Sequence, residues 1–317
     1  MHWLAELDGR RVTVEVPASS ANLGAGYDVL GVALDLTNRV EVEVRGWADG
    51  AVELTVDGEG SGELAASREN RFVRGLEAAI GAARGPLPES VGWRVAMRNE
   101  IPLARGLGSS AAATVAGVVA GNALAGEPLT ELELLRLATR IEGHPDNAAA
   151  ALLGGFVVAA DLGATVHAVR FDAPRDLRAV LFIPDRRLST ADMRAALPAQ
   201  VPLADAVANL GRVALGVAAI ATGQSELLAE LMQDRLHEPY RAAVYPELPR
   251  LADAARQAGA IGACLSGAGS TVLALADRID AIGAVEAAYR AAAVEAGIEG
   301  RVAVVSPRNA GARVVAR

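Results

Sequence analysis

IPLARGLGSSAAA, residues Ile101–Ala113, is the stretch whose reading decides the fold. Gly106 and Gly108 let a backbone approach a ligand closely, and Ser109 and Ser110 place two hydroxyls where a helix begins. The alanines behind them start a tightly packed helix, whose first turn leaves N–H groups unpaired and pointing outward. Such a helix start attracts an anion, and phosphate is its natural guest. Taken alone, the same string is a helix-capping loop.

Composition narrows which phosphate chemistry is open to the chain. Its 30 basic side chains are all arginine, and lysine is absent. A Walker-A loop, the protein-kinase lysine pair and a Schiff-base site all need lysine, so these three fail. Phosphate must be held by backbone amides, serine hydroxyls, a metal ion and arginine. At 317 residues and 52% hydrophobic the chain is long enough for two packed domains. Its net charge of −8 offers no footprint for nucleic acid or an acidic membrane surface. One cysteine, Cys264, excludes internal disulfides and cysteine-rich zinc sites. The first residues carry no apolar signal core, and the apolar runs Ala111–Ala125 and Ala148–Ala160 are shorter than the ~20 residues a bilayer needs. They read as buried elements, and the expected location is the cytoplasm.

Outward from the loop, Val12–Val16 and Val40–Val44 alternate apolar with polar residues, as do Ala51–Val56 and Trp93–Met97, so the first third is rich in strands. Asn70–Ala83 has helical periodicity. Ser109–Ala125 is apolar all round, which predicts a helix buried on most faces. Thr130 with Glu133 is a capping box for a helix running through Ile141. The pattern resets near Asp161. Strands are expected at Ala164–Phe171, Leu177–Ile183, Gly262–Leu265, Thr271–Ala276, Arg301–Val305 and Arg313–Val315, and helices near Thr190–Ala196, Leu203–Thr222, Ser225–Met232 and Ala281–Ala296. This mixture predicts an α+β chain in two domains, 1–160 and 161–317.

The whole string from Pro102 to Ala112 resembles the ATP loop of the GHMP superfamily of small-molecule kinases, and two more stretches match that superfamily in its order: VPASSANLGAGYDVLGVAL, Val16–Leu34, and GACLSGAGSTVLAL, Gly262–Leu275. The first of these, with Asn22, Gly24, Gly26, Asp28 and Leu30, is similar to the homoserine kinase branch. So is Glu142-Gly-His-Pro-Asp-Asn147 followed by Leu152-Leu-Gly-Gly155. The chain departs from the usual branch string at Ala25, where proline is typical, and at Tyr27, where phenylalanine is typical. The resemblance runs from about Val12 to the end. It implies an N-terminal domain like domain 2 of ribosomal protein S5, a C-terminal ferredoxin-like domain, and ATP between them.

It also implies roles. Pro102, Leu103, Ala104, Arg105, Gly106, Leu107, Gly108, Ser109, Ser110, Ala111 and Ala112 form the ATP loop, with Asn70 on the adenine side. Ser110 and Glu142 hold Mg²⁺, a hard cation that takes one or two protein oxygens beside phosphate and water. Asn22, Asp28, Asn147, Thr190, Arg194, Arg241 and Gly267 face the substrate, L-homoserine. A carboxylate such as Asp28 suits its ammonium group, and the planar forks of Arg194 and Arg241 suit its α-carboxylate. Ser110, Glu142 and Asn147 form the catalytic set. An amide cannot take a proton at neutral pH, so no general base is assigned; positioning and charge neutralisation carry phosphoryl transfer. His144 reads as a loop-orienting residue rather than a zinc ligand, because the chain's four histidines include no HExxH spacing. Homodimers are common among relatives. Two rival readings remain: another kinase of the superfamily, or a nucleotide-binding regulator without activity, which would show a broken loop or a missing metal ligand.

Overall fold

The computed structural model describes residues 7–45, 49–163 and 165–317. Ala164, first residue of one expected strand, lies outside the described residues.

Strands β1 (Arg11–Asn22) and β2 (Gly26–Arg45) form one long antiparallel hairpin, turned at Leu23–Ala25. Both outrun their expected limits. The alternating segments are only their lower halves, where one face is wet; from Pro17 to Asn22 every residue is buried, so the period of two vanishes. β3 (Val52–Gly58) pairs in parallel with β4 (Gly92–Asn99), and the crossover between them is α1 (Arg71–Arg84). Then follow α2 (Ser109–Leu124), α3 (Glu131–Glu142, with the expected capping box), α4 (Asp146–Leu153), β5 (Phe156–Asp161) and β6 (Val166–Phe171). The run Ala148–Ala160 is therefore two buried elements, parted at Gly154-Gly155.

Helix α2 is buried on most sides, as its composition predicts. Its small residues have a geometric cause: a Cβ at Gly117 would stand 2.1 Å from the carbonyl oxygen of Phe72, so α1 and α2 pack backbone against backbone. This close crossing fixes the N-terminus of α2 relative to the sheet.

The second half contains β7 (Arg178–Pro184), α5 (Thr190–Ala195), α6 (Leu203–Thr222), a 3₁₀ turn (Ser225–Leu227), α7 (Leu228–Leu231), α8 (Glu238–Arg241), α9 (Leu248–Gln257), β8 (Gly262–Leu265), β9 (Val272–Ala276), α10 (Ile279–Ala296), β10 (Gly300–Val305) and β11 (Arg313–Ala316). The expected helix Ser225–Met232 is the 3₁₀ turn plus α7. Helix α9 was not expected, although Leu248, Leu251, Ala252 and Ala255 carry its buried stripe. The second sheet is antiparallel in the order β10-β7-β9-β8, with α9 and α10 against it, the ferredoxin-like arrangement.

The first sheet runs β11-β1-β2-β4-β3, with β5 joining β2 and β6 joining β5. The expected boundary at 160/161 thus falls inside β5. The sheets divide the chain between β6 and β7, and β11 returns to pair with β1. Backbone pairing is indifferent to sequence distance, so no local signal marks this return.

Both faces of the second sheet are covered. Leu181 and Ile183 of β7 join the core of the first half, while Val180 and Phe182 pack with Tyr289 and Leu251 under α9 and α10. Fully burying such side chains contributes roughly 1.5–3 kcal/mol each, which holds the two halves together. Helix α6 is different: it is apolar enough over 20 residues to pass for a membrane span, with a mean hydropathy of 1.5, yet Leu203, Val207 and Leu210 are largely exposed. Asp205 and Arg212 break its sequence into shorter apolar runs.

Candidate active site

A cleft of about 240 Å³ opens where the β1–β2 turn, the loop before α2, the start of α4 and the Ser266–Ala268 turn converge. The loop is held against that turn without slack. Gly106 has φ +76°, and a Cβ there would lie 2.1 Å from the carbonyl oxygen of Ser266. Ser266 donates its hydroxyl to Gly106 O at 2.7 Å, and Thr271 N–H donates to Arg105 O. Gly108, at φ +69°, is the N-cap of α2, so the unpaired N–H groups of the first turn face the cleft beside Ser109 and Ser110.

At the far side of that helix start sits Glu142, the last residue of α3, with its side chain 6% exposed. Its Oε1 accepts from Thr114 Oγ1 at 2.6 Å and from Ser110 Oγ at 3.1 Å, and the guanidinium of Arg71 lies 3.6 Å away. Thr114 stands one turn beyond Ser110, a spacing that sequence reading passed over. Among the described residues there is no cluster of three or more metal-ligating side chains. One carboxylate beside one hydroxyl nevertheless fits a hard cation whose other ligands are phosphate and water.

The opposite wall is zwitterionic. Asn22 and Asp28 both adopt left-handed backbone, at φ 71° and 56°, a conformation seldom taken outside glycine and concentrated at functional sites. Asn22 braces the turn: its Nδ2 donates to Gly267 O at 2.9 Å and its Oδ1 accepts from Asp28 N–H at 3.1 Å. The two Asp28 oxygens receive Arg194 Nη2 at 2.7 Å and Nη1 at 2.9 Å. The residues expected to divide the substrate's two charges are thus paired with each other.

Arg241 is only 2% exposed, with Nη1 donating to Gly267 O at 2.9 Å and Nε to Met193 O at 3.3 Å. Its Nη1 also meets His237 Nδ1 at 3.2 Å, while the other ring nitrogen of His237 donates to Gly24 O at 2.8 Å. Gly24 O can only accept, so Nε2 carries the proton and the imidazole is neutral. Burial pushes His237 down to about 4, consistent with that state. Asp234, accepting from the N–H groups of Leu236, His237 and Glu238, caps α8 and so aims Arg241.

Deep at the base of α8, burial pushes Glu238 up to about 7, with Leu265 N–H donating to its Oε1 at 2.7 Å. The unfolded carboxyl loses its proton near 4.5. Between there and 7 the folded state binds more protons, so stability falls as pH rises. His237 gives the opposite slope from 6.5 down to about 4, where only the unfolded chain protonates. The readout is therefore a difference: Glu238→Gln gains several degrees in Tm over its parent as pH rises from about 4.5 through 7. A shift equal at every pH in that range defeats the assignment.

Family models for the GHMP kinase N-terminal domain and C-terminal domain match residues 70–155 and 217–294. The chain is 43% identical over 306 residues to the homoserine kinase of Moorella thermoacetica, covering 95% of this chain and 99% of the relative. It is 41% identical over 302 residues to that of Carboxydothermus hydrogenoformans, covering 95% and 96%. The chain belongs to the homoserine kinase family of GHMP kinases. The crystal structure of the homoserine kinase from Cytophaga hutchinsonii superposes with a TM-score of 0.85 at 31% identity, covering 96% of this chain and 97% of that one. The two-domain GHMP fold expected from the sequence is thus the fold of this family member.

Within this homoserine kinase fold, most of the expected site residues converge on the cleft, but not all in their expected roles. Ala104, Arg105, Gly106, Leu107, Gly108, Ser109, Ser110 and Ala111 line it, as do Asn22, Asp28, Glu142, Asn147, Thr190, Arg194, Arg241 and Gly267. Pro102 and Ala112 do not: both are buried behind the loop, where they support it. Three of the five N–H donors of Arg105 go to the carbonyls of Leu103, Pro184 and Asp185, which ties the loop to the end of β7. Asn70 caps α1, its Oδ1 accepting from Phe72 N–H and its Nδ2 donating to Ala65 O. It does border a second, larger cavity of about 460 Å³, with Leu103 and Met97, and this cavity shares Arg71, Ala104, Ser109, Ser110 and Thr190 with the cleft. His144 turns its Nδ1 to Asp146 at 3.0 Å, and that hydrogen bond, against burial, raises its proton affinity. The sequence reading gave no role to Ser19, which donates to Asn147 Oδ1 at 2.8 Å, or to Arg71, the neighbour of Asn70 in its motif, which lines the cleft beside Glu142.

Proposed function

We propose that this cleft transfers the γ-phosphoryl group of ATP to the side-chain hydroxyl of L-homoserine, giving O-phospho-L-homoserine. One observation carries the reading: a phosphate-attracting helix start with Ser110 and Glu142 faces a zwitterionic wall of Asp28, Arg194 and Arg241 across a single cleft. The larger, more apolar cavity takes the adenosine, and the shared rim of Ala104, Ser109 and Ser110 lies along the phosphates. Ser110 and Glu142 would hold Mg²⁺, which when bound would supply charge neutralisation to the phosphates.

The chain's own groups do the rest. Arg194 and Arg241 take the α-carboxylate, Asp28 the ammonium group, and Asn147, with its Oδ1 held by Ser19, leaves its amide NH₂ to orient the hydroxyl. Proton abstraction is not assigned to a side chain, since the Asn147 amide cannot perform it. In-line positioning and charge neutralisation then supply the rate. We assign the product to threonine biosynthesis and the enzyme to the cytoplasm.

A coupled assay with L-homoserine, mevalonate and galactose tests the reading. Turnover with homoserine far above the other two is expected; activity only on mevalonate or galactose overturns it.

A further inference from the structure

Tyr27 stands where the family string usually has phenylalanine, and its additional hydroxyl is not idle. The phenol oxygen accepts from Arg194 Nη1 at 2.7 Å. The same Nη1 reaches Asp28 Oδ2 at 2.9 Å, and Nη2 reaches Asp28 Oδ1 at 2.7 Å. The guanidinia of Arg194 and Arg241 lie 5.5 and 5.4 Å from the Tyr27 ring centroid, and the His237 ring is 5.2 Å away.

Arg194 has five N–H groups in a fixed plane. Both hydrogens of Nη1 and one of Nη2 are taken by Tyr27 and Asp28. Among the described residues, Nε–H and the second Nη2–H have no partner, and these two are parallel donors on one edge of the guanidinium. That edge matches a carboxylate fork to fork. The residue is about one-third exposed and lines the cleft.

We infer that Tyr27 is a positioning residue for the substrate carboxylate: its hydroxyl saturates Nη1, holds the guanidinium plane against Asp28, and presents the Nε/Nη2 edge as the only fork left for the ligand. Arg194 therefore receives the carboxylate without giving up Asp28. The inference rests on the proposed amino-acid substrate.

The test is Tyr27→Phe, which keeps the ring under both arginines and installs the residue usual in the family. The KM for L-homoserine rises about 3- to 10-fold, the scale of one lost hydrogen bond, with kcat and the ATP KM unchanged. The parallel substrate is the amino diol in which the homoserine carboxylate is reduced to an alcohol. Its kcat/KM is unchanged by the substitution, because it has nothing for that fork to hold. An unaltered homoserine KM overturns the inference, and so does an equal loss with the amino diol, which assigns Tyr27 to the ammonium end or to the fold. A parent enzyme inactive on homoserine instead overturns the function proposed above, whatever the variant does.

Discussion

Glu142→Ala lowers turnover by about 10²-fold or more, the cost of removing one group that stabilises charge in phosphoryl transfer. The side chain is 6% exposed and already organised, its Oε1 fixed by Thr114 and Ser110. Alanine removes the charge and also leaves the Thr114 hydroxyl without its acceptor. Glu142→Gln separates the two effects, since the amide oxygen still accepts both hydrogen bonds while the charge is gone. Turnover falls in both variants, Tm falls only in the alanine variant, and the Mg²⁺ concentration needed for half-maximal activity rises in both. Ser110→Ala shows the same Mg²⁺ shift with a smaller change in Tm, since Ser110 is exposed. Near-normal turnover of either variant at saturating Mg²⁺ defeats the metal-ligand role.

Arg241→Leu raises the homoserine KM at least tenfold, and it costs stability as well, by about 3 kcal/mol or more. From the motif alone, this arginine reads as a fork for the substrate carboxylate. In the fold it is buried, and burial works against its charge. Its hydrogen bonds to Gly267 O, Met193 O and His237 Nδ1 tie α8 to the glycine turn and to α5. Leucine removes the donor from Met193 O and His237 Nδ1, while Gly267 O keeps only Asn22 Nδ2. The ATP KM, measured at a temperature where the variant is folded, stays within about twofold because Arg241 makes no hydrogen bond to the nucleotide loop itself and meets it only through the glycine turn. A variant as stable as its parent shows that the buried bonds contribute little. An equal rise in both KM values assigns Arg241 to general packing.

Where the sequence reading went astray, the causes are physical and differ by element. The limits of β1 and β2 were drawn too short because Ser19, Ser20 and Asn22 are polar residues inside a fully buried stretch. Their hydrogen bonds go to partners more than a hundred residues away, which no window of sequence contains: Asn147 for Ser19, Ser266 for Ser20, Gly267 for Asn22. Asn70 borders the larger cavity as its motif position implies, but its capping of α1 shows only in the fold. Arg105 sits inside the phosphate-loop string, and only the approach of β7 shows that it also ties the loop to the carbonyls of Pro184 and Asp185. The stripe of α9 was there to be read.

By itself the sequence determined the chemistry: a lysine-free, glycine-rich loop opening an Ala-rich helix, flanked in order by the motifs of one kinase family. Those features are local, because turns, caps and helix starts depend on residues a few positions apart. Tertiary structure decided what each charged side chain is for. Asp28 and Arg194, 166 positions apart, meet as an ion pair, and β11 crosses the whole chain to close the first sheet. Charge and hydrogen-bond partnership depend on distance in space and on burial, and neither is written in the order of the residues.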